Sequence, residues 1–232
     1  MRRFRRFTHR GATFRIACDR YGIATHEVIR QRRLLEKYVA AHPAFVGAME
    51  PLAVGPDAPE VAIRMARAAS RVGVGPMAAV AGAMAQMVAE AVVAAGCDDV
   101  VVDNGGDIHI RAAASITVAL DAGDAAIGGR LAFRIEPRET PLSICSSSAT
   151  MGHSLSLGRC DLATVVAADA ALADAAATFA GNQVKRRSDI ERALDRTLRI
   201  EGVQGVLIAM GDRVGLAGRL PRLLRADEAK RR

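Results

Sequence analysis

Apolar residues along this chain keep two rhythms. Short apolar runs bounded by glycine, aspartate or proline alternate with longer stretches in which apolar positions recur every three or four residues. The short runs predict strands at residues 13–17, 100–102, 108–111, 116–120, 131–135, 142–145 and 162–167. Two more, 206–210 and 214–217, flank Gly211-Asp212-Arg213 as a terminal hairpin.

The longer stretches predict helices. Residues 26–41 carry Val28, Ile29, Leu34, Leu35 and Tyr38 as a stripe, and His42-Pro43 ends them. Residues 44–59, with three prolines and two glycines, read as a loop. Helices follow at 60–70 and 77–95. Asp169 caps another at 170–180, which Gly181-Asn182 terminates, and the capping-box pattern of Ser188 and Glu191 starts a last one that runs to Arg199. Residues 77–95 are long enough to suggest a membrane span, but they are mostly alanine and include Gln86 and Glu90, so a buried globular helix is expected. Neighbouring strands grouped apart from paired helices predict an α+β fold with a mainly antiparallel sheet and packed helices, in one domain over residues 1–232.

Composition narrows this picture. Among 232 residues there is no Trp, two Tyr and six Phe, so the core must be built from Ala, Val, Leu, Ile and Met. The net charge of +7 gathers at the ends: Arg2, Arg3, Arg5, Arg6 and Arg10 at the start, and Lys230, Arg231 and Arg232 at the close. A basic arm can meet nucleic acid or anionic lipid. No recognition motif or set of stacking aromatics accompanies it, so residues 1–10 and 222–232 read as solvated, flexible ends, and neither nucleic acid nor membrane is expected as a partner. Cys18, Cys97, Cys145 and Cys160 have no metal-ligand spacing and read as reduced, mostly buried thiols of a cytoplasmic protein. No secretory leader is visible at the start.

Four short segments carry candidate chemistry. Gly73-Val74-Gly75-Pro76 feeds a helix, and such an entrance offers unpaired N–H groups to a phosphate, or is simply a tight turn. It is neither a Walker loop nor a dinucleotide fingerprint. Asn104, Gly105, Gly106 and Asp107 end a buried strand, either as a hairpin turn or as a space cleared for a planar or phosphate group that Asp107 would hydrogen-bond. Asp174 and Thr178 lie four apart in an alanine-rich helix, which puts a carboxylate and a hydroxyl on one face and suits Mg2+. Ser146, Ser147 and Ser148 lead towards His153, a candidate general base, although no nucleophile elbow surrounds these serines. His109 follows the Gly-Gly-Asp turn and fits that pocket or a surface strand equally.

The order of these segments, through VGPMAAVAGAMA, VVDNGGDIHI, SSSATMGHSLSLGRCDLATVVA and ALADAAAT, resembles the ApbE-like family of FAD:protein FMN transferases, and more closely a small ApbE-related branch of it. The resemblance implies a T-fold-like α+β architecture. It also implies FAD as substrate or ligand, Mg2+ as cofactor, and FMN transfer to a Ser or Thr hydroxyl of a flavoprotein acceptor, or to water. Asp174 and Thr178 would then hold the metal, together with a backbone carbonyl near Gly75. Gly73, Gly75, Asn104, Gly105, Gly106, Asp107, Ser147 and Ser148 would lie against the nucleotide, and His153 and Asp174 would serve catalysis. The chain departs from the transferases where they carry a lysine, since Met77 to Val80 stand there. It also has a shorter histidine loop and lacks their acidic and serine segment ahead of the helices. Other expectations are therefore a non-catalytic ligand-binding or assembly module, or an enzyme of another small anionic metabolite. A homodimer is a further expectation.

Overall fold

The computed structural model describes residues 2–121, 131–148 and 158–225. Eight strands form one antiparallel sheet: β1 (Arg5–His9), β2 (Ala12–Ala17), β3 (Val100–Asn104), β4 (Asp107–Arg111), β7 (Leu142–Ser147), β8 (Leu162–Ala167), β9 (Val203–Met210) and β10 (Arg213–Gly218), in that order across it. A second sheet holds β5 (Ile116–Leu120), β6 (Leu131–Ile135) and β11 (Arg222–Arg225), with β6 in the centre. The helices are α1 (Tyr21–Ala41), α2 (Pro43–Gly47), α3 (Glu60–Val72), α4 (Val80–Ala94), α5 (Ala170–Gln183) and α6 (Ile190–Leu198).

Strand alternation divides the core in two. Phe14, Ile16, Val100, Val102, Val165, Ala167, Val206 and Ile208 point to the helical side. Their neighbours Val101, Ile110, Leu142, Ile144, Val166 and Leu207 point to the other side, where Val118, Phe133 and Ile135 of the small sheet cover them. The predicted α+β class holds, and the strands expected at 116–120, 131–135 and 162–167 have those bounds.

Several boundaries differ from the sequence reading. A first strand, β1, precedes the expected one: its RRFTH carries little apolar signal, and it is held by pairing with β2 through the turn at Arg10 (φ 46°) and Gly11 (φ 80°). Helix α1 starts five residues earlier than expected, at Tyr21. The expected loop after it contains α2, in which Phe45 is fully buried. Residues 76–79 form a 3-10 turn, so α4 begins at Val80 rather than at Met77. Helix α5 runs through Gly181 and Asn182 to Gln183, because a glycine held against its neighbours does not by itself stop a helix. The capping box expected at Ser188 is replaced by Asp189, whose carboxylate accepts the N–H groups of Lys185 and Arg186 at 3.1 Å each.

The stretch Pro76–Ala94 is long and apolar enough to cross a membrane by length and composition alone. Here α4 packs against β3, β4, α1, α3 and α5.

Candidate functional site

The helical side of the sheet is apolar except along β4 and β7 and at Asn104, the last residue of β3. The inward positions of the first two strands are Asp107 and His109 on β4, and Ser143 and Cys145 on β7. Placing carboxylate, imidazole, hydroxyl and thiol where neighbouring strands put valine and alanine costs free energy unless each finds a partner. His109 Nδ1 lies 2.9 Å from Ser143 Oγ, which is 3.3 Å from the Ala168 carbonyl oxygen. Burial pushes the imidazole down to about 4, against a smaller opposing pull from Asp169, so it is neutral at ordinary pH. The surface position weighed for His109 is therefore set aside.

Asp107 is different. Its Oδ1 accepts the Ser146 N–H at 3.3 Å, and its carboxyl also meets the Cys145 thiol. Burial raises its carboxyl well above the usual range, and the neighbouring Asp174 raises it further. Burial and the same two carboxylates keep Cys145 a thiol.

Asp174 reaches this spot from α5. Its Oδ2 accepts the Gly82 N–H at 2.9 Å, and the Ala81 N–H also bonds to the carboxylate, so it caps the first turn of α4 from outside that helix. Burial raises its pKa to about 7 even though both N–H bonds pull it down. Close approach makes this contact possible: a methyl group at Gly82 would lie 2.1 Å from the Ala170 carbonyl oxygen and 2.9 Å from Asp174 Cβ. One turn back, the Ala170 N–H donates to Gln86 Oε1 at 2.7 Å. One turn on, Thr178 is half-buried, and its hydroxyl makes no hydrogen bond among the described residues.

The other candidates gather at the same end of the sheet. Asn104 Nδ2 donates to the Ala81 carbonyl at 3.2 Å. Gly105 (φ 71°) and Gly106 (φ 106°) form the two-residue turn that joins β3 to β4, with Asp103 Oδ1 accepting the Gly106 N–H. Ser147 Oγ lies beside Gly181 of α5, and Gly158 packs on the Gly181 carbonyl. Ser148 is buried. His153, the candidate base, lies outside the described residues.

Gly73 and Gly75 stand apart from this cluster in what they touch. Gly73 closes α3 in the left-handed region, and Gly75 sits against the Ala48 carbonyl, leaving no room for a side chain. The backbone that meets Asp174 is at Ala81 and Gly82, deeper in the helix than the glycine entrance. Sequence reading also passed over Gly82, Gln86 and Ser143. A glycine and a glutamine interrupting an alanine helix were the signals available for the first two. An open cleft of about 470 Å³, lined in part by Arg138, Val166, Gln204 and Arg219, lies on the opposite side of the sheet, away from these groups.

A family model described as "AbpE bacteria" matches residues 17–211. The chain belongs to that family. A UPF0280 protein of Methanocella arvoryzae is 43% identical over 199 residues, covering 86% of this chain and 81% of the relative. A UPF0280 protein of Methanococcus maripaludis is 37% identical over 212 residues, covering 90% and 86%. Among solved structures, the ApbE protein of Thermotoga maritima matches with a TM-score of 0.59 at 13% identity, covering 99% of this chain and 98% of that one. The apo flavinyl transferase ApbE of Pseudomonas stutzeri matches at 0.56 and 10% identity, covering 94% of each. At such identities the likeness is one of fold, and the mixed helix and antiparallel-sheet architecture described above is similar to that of the ApbE structures.

Proposed function

We propose that the chain binds a flavin nucleotide, or a related pyrophosphate, together with Mg2+ at the α4–α5 contact, and that it transfers FMN or cleaves FAD there. The observation that carries this reading is the placement of Asp174: a buried carboxylate at the start of α4, beside Asp107, with Thr178 one turn away.

A divalent cation suits this donor set. Two buried carboxylates lie close together, and no Lys or Arg side chain pairs with either among the described residues. No cluster of three His, Cys, Asp or Glu ligands occurs among the described residues. Mg2+ is commonly held by one or two carboxylates, with phosphate oxygens and waters completing the shell. Asp174, Thr178 and a backbone carbonyl of the segment from Gly75 into α4 would hold it. Bound there, it would neutralise charge developing on the phosphate oxygens.

The chain's own residues supply the rest. Gly105 and Gly106 would bring bare backbone to the nucleotide, Asn104 fixes the Ala81 carbonyl, and Ser147 and Ser148 would lie against the ligand from the end of β7. The reaction is a displacement at the FMN phosphorus. An oxygen from water or from an acceptor flavoprotein's Ser or Thr hydroxyl forms the new bond, the bridging P–O bond breaks, and AMP leaves. The proton of the nucleophile passes to a base, for which His153 is the candidate.

The test is to mix the purified chain with FAD and Mg2+ and to follow FMN and AMP by chromatography. Turnover is expected, and Asp174→Asn should lower it on the order of 100-fold while the circular dichroism is retained. No binding and no turnover would remove the reading. One observation favours a non-catalytic module instead: Asp174 already caps α4. On that reading FAD or a related anion binds without turnover, and Asp174→Asn changes melting temperature alone.

A further inference from the structure

The basic residues that look like a solvated end in the sequence become part of a built surface in the fold. Residues 2–41 hold eleven Arg and Lys against three Asp and Glu, a net of +8, while the whole chain carries +7. Two of those acids are already engaged, Glu27 with Arg30 and Glu36 with Arg10 and Arg32. The charge therefore belongs to β1, β2 and α1, and the remainder of the protein is close to neutral.

Helix α1 buries Ala24, Glu27, Val28, Gln31 and Leu35. At about 100° per residue its exposed positions fill an arc of about 140°. That arc carries Ile23, Ile29 and Leu34 among Arg30, Arg33 and Lys37, and contains no acid. Arg33 and Lys37 make no ion pair among the described residues. Among the described residues, six of the eight large apolar side chains that stand exposed lie within the first 49 residues, with Phe4 ahead of the helix and Val46 and Met49 just beyond it. Single exposed aliphatics mean little, but here they coincide with the one strongly charged region.

We propose that the outer face of α1 is a docking surface for an anionic lipid bilayer. The helix is about 31 Å long and can lie flat on a membrane. Arginine and lysine gain from anionic headgroups, and the interleaved isoleucines and leucine gain by leaving water at the acyl boundary. A nucleic-acid backbone offers nothing to those aliphatic groups. A second copy of the chain would set +8 against +8.

The experiment uses the full chain and cosedimentation with two kinds of vesicle, phosphatidylcholine alone and phosphatidylcholine mixed with phosphatidylglycerol. Binding is expected only to the mixed vesicles, and it should fall as salt is raised. Arg33→Gln with Lys37→Gln should weaken it about 30-fold. Ile29→Ser with Leu34→Ser should weaken it about tenfold at unchanged charge. All four side chains are at the surface, so melting temperatures should hold and thereby report an intact fold. Equal pelleting with both vesicles, or with neither, would overturn the proposal. So would full binding by the Ile29/Leu34 variant together with complete displacement by duplex DNA, which marks a polyanion surface instead.

Discussion

Asp174 and His109 are buried titratable groups pushed in directions that oppose one another in their effect on stability. His109 stays neutral in the fold down to about pH 4, whereas in the unfolded chain it takes a proton near 6.5. Its burial therefore leaves stability intact above about 6.5 and erodes it as pH falls from there towards 4, by at most about 3 kcal/mol. Asp107 and Asp174 run the other way. Their folded values are raised above the usual 3.8, that of Asp174 to about 7, so the unfolded chain releases protons first and stability falls as pH rises from about 4 to 7. With two carboxyls set against one imidazole, wild-type stability should fall as pH rises through that window. His109→Gln should steepen that decline, and Asp174→Asn should flatten it. Urea midpoints measured across the window check this, and parallel profiles for all three proteins would sink it. Only part of this was legible in the sequence. A lone carboxylate in an alanine run pointed to Asp174, but nothing in Asp-Ile-His-Ile-Arg says that His109 faces inward, because that depends on which side of the sheet the helices cover.

Helices α4 and α5 meet through small residues, and the cap that joins them exists only because their backbones come close. Gly82→Ala should force the helices apart by overpacking, at a cost of about 3 kcal/mol, and should lengthen or break the bond from the Gly82 N–H to Asp174. The expected outcome is a lower melting point and faster amide exchange at Ala81 and Gly82. An unchanged melting point would show that the helices have room for the extra methyl group and would sink the prediction. The element scale also explains which structure could be read in advance. Strands such as Leu162–Ala167, buried on both faces, announce themselves as unbroken apolar runs. Edge strand β1 has one covered face and a hairpin partner, so its formation rests on pairing rather than on its own composition. The entrance to α4 was visible as a glycine–proline signal. That Gly75 packs on the Ala48 carbonyl, while the contact with Asp174 falls at Gly82, depends on long-range packing that no local pattern encodes.

At the scale of the molecule, the two hydrophobic cores share one wall. Successive residues of β3, β7, β8 and β9 alternate between the helical core and the core under the small sheet, as Val165 and Val166 do. Melting one core would strip the strands that line the other, so we propose that the chain behaves as a single cooperative domain. Phe133 tests this. It is fully buried, lies on the central strand of the small sheet and belongs to the second core. If the cores were independent, Phe133→Ala would split the thermal transition and leave the helical part melting at its original temperature. If the shared sheet couples them, the substitution should lower one transition as a whole, by about 3–5 kcal/mol at the melting point. Scanning calorimetry distinguishes the two. A calorimetric enthalpy that matches the van't Hoff enthalpy in both wild type and variant supports coupling through the sheet, and a second peak in the variant refutes it.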